Sequence, residues 1–198
     1  MIQFLEESKK TSAVIANLSG EVKNSVLNKM ADALENHCDY IITHNNLDMK
    51  AGKENKLPAD IMDRLLLTGD RVKDMATAIR EIASLKEPVG KTIEGWVSEN
   101  GLNIQKVSVP IGVIGIIYES RPNVTSDTAA LCFKSGNVCV LKGGKEAEHS
   151  NKAITAVLQD VLTKNKLPQH AISLLPDSTR AGVDNLIKQD KYVDLIIP

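Results

Sequence analysis

Aromatic residues are scarce in this 198-residue chain: two phenylalanines, three tyrosines and one tryptophan, 3% of the whole. So thin a supply argues against a platform that stacks the bases of single-stranded nucleic acid. An excess of either charge is missing too. Lys and Arg number 24 against 25 Asp and Glu, a net charge of −1, which removes the global electrostatic case for nucleic acid or an anionic membrane. The three cysteines, Cys38, Cys132 and Cys139, form an odd set without CxxC spacing. Neither a disulfide framework nor a zinc site is expected, and a reduced, cytoplasmic setting fits. His37, His44, His149 and His170 lack HExxH or paired-ligand spacing, so no metal site is expected. Long apolar runs are absent as well. The most apolar stretch, 107–118, is broken by Pro110, Gly112 and Gly115, and crossing a bilayer takes about 20 residues. MIQFLEESKK has no basic region followed by an apolar one, so no signal peptide is expected.

What is present is the composition of a globular protein: 42% apolar and 25% charged residues, enough for a sizeable core. One large domain, or one domain with appendages, is expected. Residues 2–86 read as helices. Ser19 precedes the stripe Val22, Val26, Leu27, Met30 and Leu34, and Thr68 precedes Val72, Met75, Ile79 and Ile82, each an N-cap before an amphipathic face. Pro58 opens a shorter helix over 59–67, and 50–56 reads as a loop or a frayed helix end.

The pattern changes near residue 87. Two strand-like runs, 92–98 and 102–109, flank Glu99-Asn100-Gly101, and Asn-Gly between such runs signals a hairpin. Trp96 in the first run is either a packed aromatic or part of an edge ribbon that pairs with another subunit. From Pro110 strands alternate with helices: strand 111–118, helix 125–134, strand 138–142, helix 149–165, strand 171–175, helix 179–189, strand 192–197. Near-continuous apolar strands between helices predict an α/β fold with a parallel sheet covered on both faces. The chain stops directly after the last strand. A buried parallel strand needs a crossover to its neighbour, so the natural protein is expected to continue.

Ligands of such sheets bind beyond the carboxyl ends of strands. Two segments fall there. Tyr118 to Thr125, YESRPNVT, is a polar loop before a helix, whose N-terminus offers free N–H groups to anions. Arg121 can fork onto a carboxylate or phosphate, and Asn123 can donate to an oxyanion. Equally, Arg121 can be a surface charge and Pro122-Asn123 a turn and cap. Lys142-Gly143-Gly144-Lys145 lets backbone approach a ligand and brings two cations to it. Its spacing is not that of a P-loop, and a solvated turn is the plainer alternative. Cys132 and Cys139 fall in apolar patterns and read as buried, inert thiols.

Taken together, VPIGVIGIIYESRPNVTSDTAALCFKSGNVCVLKGGKEAEHSN, from Val109 to Asn151, resembles the gamma-glutamyl phosphate reductase family of the aldehyde dehydrogenase superfamily. ESRPNVT and LKGGKEA are the specific part, and the resemblance extends over essentially the whole chain. It implies an NADPH-dependent reduction of L-glutamyl 5-phosphate to L-glutamate 5-semialdehyde, with NADP+ and phosphate as co-products, in proline biosynthesis. A cysteine thiolate attacks the acyl phosphate, phosphate leaves, and hydride reduces the thioester. Asn123 matches the superfamily asparagine that donates to the thiohemiacetal oxyanion, in a loop longer than the Pro-Trp-Asn loop of ordinary aldehyde dehydrogenases. Arg121 has no counterpart in that loop and is expected to bind the acidic substrate.

The implied cofactor-binding set is Tyr118, Glu119, Ser120, Lys142, Gly143, Gly144 and Lys145. Lys142 matches the lysine that approaches the adenine ribose. Lys145 stands where NAD-using relatives often carry a glutamate. A carboxylate would accept from the ribose hydroxyls and repel a 2′-phosphate, whereas a lysine attracts it, which favours NADP(H). No cysteine here matches the nucleophile, which is expected beyond residue 198. The division expected is a helical region 1–88, a β-hairpin oligomerisation ribbon 89–109 and an incomplete Rossmann-like NADP-binding region 110–198. Such a piece is expected to be inactive alone, and the full enzyme to be a homo-oligomer with a small-molecule substrate and no nucleic-acid or membrane partner. The rival readings are an ordinary NAD(P) aldehyde dehydrogenase and a non-catalytic nucleotide-binding module.

Overall fold

The computed structural model describes residues 2–177 and 179–198. Five helices come first: α1 (Ile2–Ala16), α2 (Gly20–Asn36), α3 (Cys38–Glu54), α4 (Ala59–Leu65) and α5 (Gly69–Ser84). Side chains mark where they start. Ser19 accepts from the Val22 amide at 3.3 Å, and Thr68 accepts from the Arg71 amide at 3.2 Å, satisfying donors that a first turn leaves free. Val26, Leu27, Met30 and Leu34 of α2 are buried, as are Val72, Met75 and Ile79 of α5, and the two helices pack together. The stretch 50–56, expected as loop or frayed end, is instead helical as far as Glu54. Tertiary packing holds that last turn. A side chain at buried Gly52 would meet Met62 Sδ at 2.7 Å and Leu57 Cδ1 at 3.1 Å.

Asn45 of α3 ties these helices to the rest. It is fully buried. Its amide donates to Leu65 O at 2.7 Å and Ser150 Oγ at 3.0 Å, and its carbonyl accepts from Leu67 N at 2.9 Å. Removing it strands a buried backbone donor and acceptor. Asn45→Ala is expected to destabilise the protein by about 2–4 kcal/mol, read as a lower urea midpoint at unchanged slope. A loss below about 0.5 kcal/mol would mean that water replaces the amide without cost.

The hairpin forms: β1 (Thr92–Val97) pairs antiparallel with β2 (Asn103–Val107), and Gly101 at φ 84° closes the turn. All six residues of β1 are exposed, Trp96 by 47%. Within this chain Trp96 is therefore not a packed aromatic. Among the described residues, no element covers it.

The second sheet has the order β5-β4-β3-β6, built from β3 (Val113–Ile117), β4 (Val138–Lys142), β5 (Ile172–Leu174) and β6 (Leu195–Ile197), with every pairing parallel. The crossovers are α6 (Pro122–Lys134), α7 (Glu148–Lys164) and α8 (Arg180–Ile187). The chain runs outward from β3 to β5 and returns to β6 on the other side of β3. Right-handed crossovers then place α8 on the face opposite α6 and α7. Buried residues of α1, α2, α5, the sheet and α7 belong to one continuous apolar cluster, so helices and sheet share a core.

The strand expected from residue 111 begins only at Val113. Gly112 sits at φ 126°, and a side chain there would strike Asp194 Oδ2 at 2.2 Å. That carboxylate accepts from the Val113 amide at 2.8 Å and pairs with Lys9 at 2.6 Å, which fixes the approach of β6 to β3.

Candidate functional site

Strand order reverses at β3, and in open α/β sheets ligands sit outside the carboxyl ends of strands near that point. The 118–125 segment lies there. It is not a loop throughout: α6 starts at Pro122, three residues earlier than the periodicity predicts. Proline is pre-shaped for a first helical turn, so Arg121 becomes the N-cap position and Asn123 lies inside the first turn.

Tyr118 and Ser120 brace the turn that follows β4. The Tyr118 amide donates to Lys142 O at 3.0 Å, extending the β3–β4 ladder by one residue. Its hydroxyl is 2.7 Å from Thr125 Oγ1, which donates to Asn151 Oδ1 at 2.9 Å. Burial pushes the Tyr118 phenol well above its usual value, against the opposing effect of Thr125, so it stays a neutral hydroxyl. Ser120 Oγ donates to Glu146 Oε2 at 2.6 Å, linking the segment after β3 to the turn after β4. Burial raises the Glu146 carboxyl, but the Ser120 bond and the charges of Lys145 and Lys142 outweigh it and hold it below the ordinary value. Glu119 is exposed and lies 3.6 Å from Arg64.

The Lys142–Lys145 turn needs its glycines. A side chain at Gly143 would meet Asn151 Nδ2 at 2.2 Å and the Tyr118 ring at 3.0 Å, and one at Gly144 would meet Ser120 Oγ at 2.2 Å. Lys142, Gly143, Gly144, Lys145 and Lys152 surround a cavity of about 80 Å³ with Leu174 and Leu175 on its wall. Its size suits one ring or one phosphate, not a whole dinucleotide. The donor set fits a phosphorylated nucleotide: apolar wall, cationic rim and close backbone.

Arg121 and Asn123 open elsewhere, onto a cleft of about 500 Å³ between α6 and the α4–α5 pair, lined also by Arg64, Arg71, Asp74 and Asp127. Asn123 and Lys142 thus stand at the carboxyl ends of adjacent strands but line two cavities, not one. Neither cavity is lined by a cysteine. Cys132 and Cys139 are buried and Cys38 is half-buried. Burial, then the charge of Asp39, raises the Cys38 thiol, while the bond with Cys132 and burial raise that of Cys139. Such thiols are poor nucleophiles.

Asp127 was not singled out from sequence, although it lies four residues after Asn123, the spacing that joins side chains on one helix face. Asn123 Nδ2 donates to Asp127 Oδ2 at 3.1 Å. A primary amide carries two N–H donors; one fixes the side chain along α6 and the other remains for a ligand. Burial raises the Asp127 carboxyl above its ordinary value, outweighing the bonds from Asn123 and Ser126. A carboxyl with a higher pKa folded than unfolded favours folding below its unfolded pKa, and that contribution is lost as pH rises through the folded pKa. Asp127→Asn keeps an acceptor for Asn123 and carries no charge. It is expected to raise the thermal midpoint at pH 7 by on the order of 1–3 °C. The gain should shrink toward zero below about pH 3, where wild type is protonated as well. An equal gain at both pH values would contradict the electrostatic cause. The other contributions missed from sequence, Arg64, Arg71 and Asp74, come from helices whose spacing announces only their buried faces.

A doubly wound parallel sheet, with a glycine-lysine turn beside an apolar wall and an asparagine at a helix start, is an α/β architecture of the dehydrogenase type. The chain belongs to the aldehyde dehydrogenase family, whose pattern matches residues 2–197. It is 67% identical over 198 residues to the gamma-glutamyl phosphate reductase of Aliarcobacter butzleri (strain RM4018), and 64% identical over 198 residues to that of Sulfurimonas denitrificans. Each match takes in 100% of this chain and 48% of the relative, so the chain spans about half the length of the curated relatives it matches. The crystal structure of gamma-glutamyl phosphate reductase from Thermotoga maritima superimposes with a TM-score of 0.97 at 36% identity, covering 100% of this chain and 48% of that one. A salicylaldehyde dehydrogenase from Pseudomonas putida, at 22% identity and a TM-score of 0.74, shares the fold. Membership of the family implies a nicotinamide cofactor.

Proposed function

We propose that this chain contributes the cofactor side of an NADPH-dependent reductase that converts L-glutamyl 5-phosphate to L-glutamate 5-semialdehyde in proline biosynthesis. The observation that carries the reading is the pairing, at the ends of adjacent strands, of Arg121 and Asn123 on an open cleft with the Lys142–Lys145 turn. Relatives of 67% and 64% identity bearing the reductase name support it. NADPH, when bound, supplies the hydride. Lys142 would hold the adenine ribose, Lys145 would attract the 2′-phosphate, and Gly143 and Gly144 would let backbone come close to both. Tyr118 and Ser120 brace that turn from beneath. Arg121 forks onto an acidic group of the substrate, and the free N–H of Asn123 donates to the oxyanion that develops at the reacting carbonyl. The nucleophilic cysteine belongs to polypeptide outside residues 1–198; the buried thiols here do not suit the task.

The functional partition is the helical region 1–88, the ribbon 89–109 and the cofactor-binding region 110–198. The exposed apolar side chains Ile93, Trp96 and Val97 suit a ribbon that pairs with another subunit, and the setting is cytoplasmic. No helix among the described residues is long and apolar enough to cross a membrane. The test is substrate choice by the full-length protein with NADP+ and phosphate. Oxidation of L-glutamate 5-semialdehyde is expected to exceed that of propanal in kcat/KM by more than about 10³-fold. Comparable values for the two would favour an ordinary aldehyde dehydrogenase, and no turnover of either a non-catalytic module.

A further inference from the structure

The cleft between α4, α5 and α6 carries more charge than the proposed chemistry uses. Arg71 is engaged, donating to Leu66 O at 2.9 Å and to Asp63 Oδ1 at 2.8 Å. Arg64 leans on Asp60 at 3.8 Å and Glu119 at 3.6 Å. Among the described residues Arg121 forms no ion pair. Of the carboxylates, Asp63 is taken by Arg71, and Asp127 has one oxygen accepting from Asn123 and the other buried. Asp74 is exposed and, among the described residues, makes neither a hydrogen bond nor an ion pair. It is nevertheless held toward the cleft. Arg71, Asp74, Met75 and Ala78 follow the spacing i, i+3, i+4, i+7 of one helix face, and all four line the same space as Asn123.

Among the described residues, one free anion and one free cation therefore stand on the walls of a 500 Å³ cleft beside the residue assigned to the reacting carbonyl. An α-amino-acid head group asks for both partners: a guanidinium for its carboxylate and a carboxylate for its ammonium. A simple aldehyde asks for neither. We propose that Asp74 reads the α-ammonium group of the substrate and, with Arg121 on the carboxylate, makes the site selective for an amino-acid semialdehyde or acyl phosphate. The inference rests on the glutamyl phosphate reading above and adds a specificity-determining residue to it. Selection follows because only the amino substrate makes the ion pair with Asp74, a contact that an analogue without the ammonium group cannot form.

The probe pair is L-glutamate 5-semialdehyde and its desamino analogue 5-oxopentanoate, oxidised by the full-length protein with NADP+ and phosphate. Wild type is expected to prefer the amino substrate. Asp74→Asn is expected to lower that preference, as a ratio of kcat/KM, by about 10- to 100-fold. The loss should fall mainly in KM for the amino substrate, and Asp74→Glu should keep the preference within about fivefold of wild type. Position 74 is exposed, so the thermal midpoint should not move, which separates this role from a structural one. A wild type that prefers the amino substrate while Asp74→Asn preserves the ratio overturns the inference and leaves the function standing. A wild type without preference also overturns it. A wild type that oxidises neither compound removes the functional reading and the inference together.

Discussion

Replacing Asn123 by alanine in the full-length protein is expected to lower kcat for L-glutamate 5-semialdehyde about 10²–10³-fold, with KM within about threefold of wild type. The expectation follows from where the charge sits. Asn123 is exposed on the first turn of α6, at the rim of the cleft, and Asp127 fixes the amide through one of its two N–H donors. A donor already oriented costs no reorganisation as the oxyanion develops, so its contribution falls on the transition state and hence on kcat. Because the side chain is exposed, stability should hardly change. If Asn123→Ala retained more than about a third of wild-type kcat, the oxyanion would have to be held elsewhere.

The second large effect is expected at Lys145. Lys145→Glu should lower the preference for NADPH over NADH, as a ratio of kcat/KM, about 30- to 300-fold. The turn at 142–145 presents Lys142 and Lys145 around an apolar-walled cavity, while the neighbouring carboxylate of Glu146 is tied to Ser120. Lys145 is exposed and free to meet a 2′-phosphate. A glutamate there would repel that phosphate and accept from the 2′-hydroxyl of NADH instead. An unchanged ratio would assign the 2′-phosphate to other residues and leave Lys145 a surface charge.

Much of this was legible before any coordinates, for physical reasons. Val138 to Lys142 is a strand with the bounds the apolar run predicts, because a strand buried on both faces admits no polar residue until its end. Ser19 and Thr68 announce helix starts because an N-cap is a local hydrogen bond. Non-local packing was not legible. The helical end of α3 depends on Gly52 meeting Leu57 and Met62, and the late start of β3 depends on Asp194, which is far from Gly112 in sequence. For the site, Arg121, Asn123 and the Lys-Gly-Gly-Lys turn stand out because they follow strands. That they line two cavities instead of one, and that α4 and α5 supply the opposite wall of the larger, follows only from how the N-terminal helices pack on α6. Asp74 has no sequence signature at all: a lone aspartate on a helix reads as a solvated face.

The most direct measurement is the phosphate dependence of NADPH formation by the full-length protein from L-glutamate 5-semialdehyde and NADP+. An acyl-phosphate reductase run in reverse must take up phosphate to release its product, so the rate is expected to rise from near zero and saturate with added phosphate, giving glutamyl 5-phosphate. A rate equally high without phosphate, with free glutamate as the product, would contradict it.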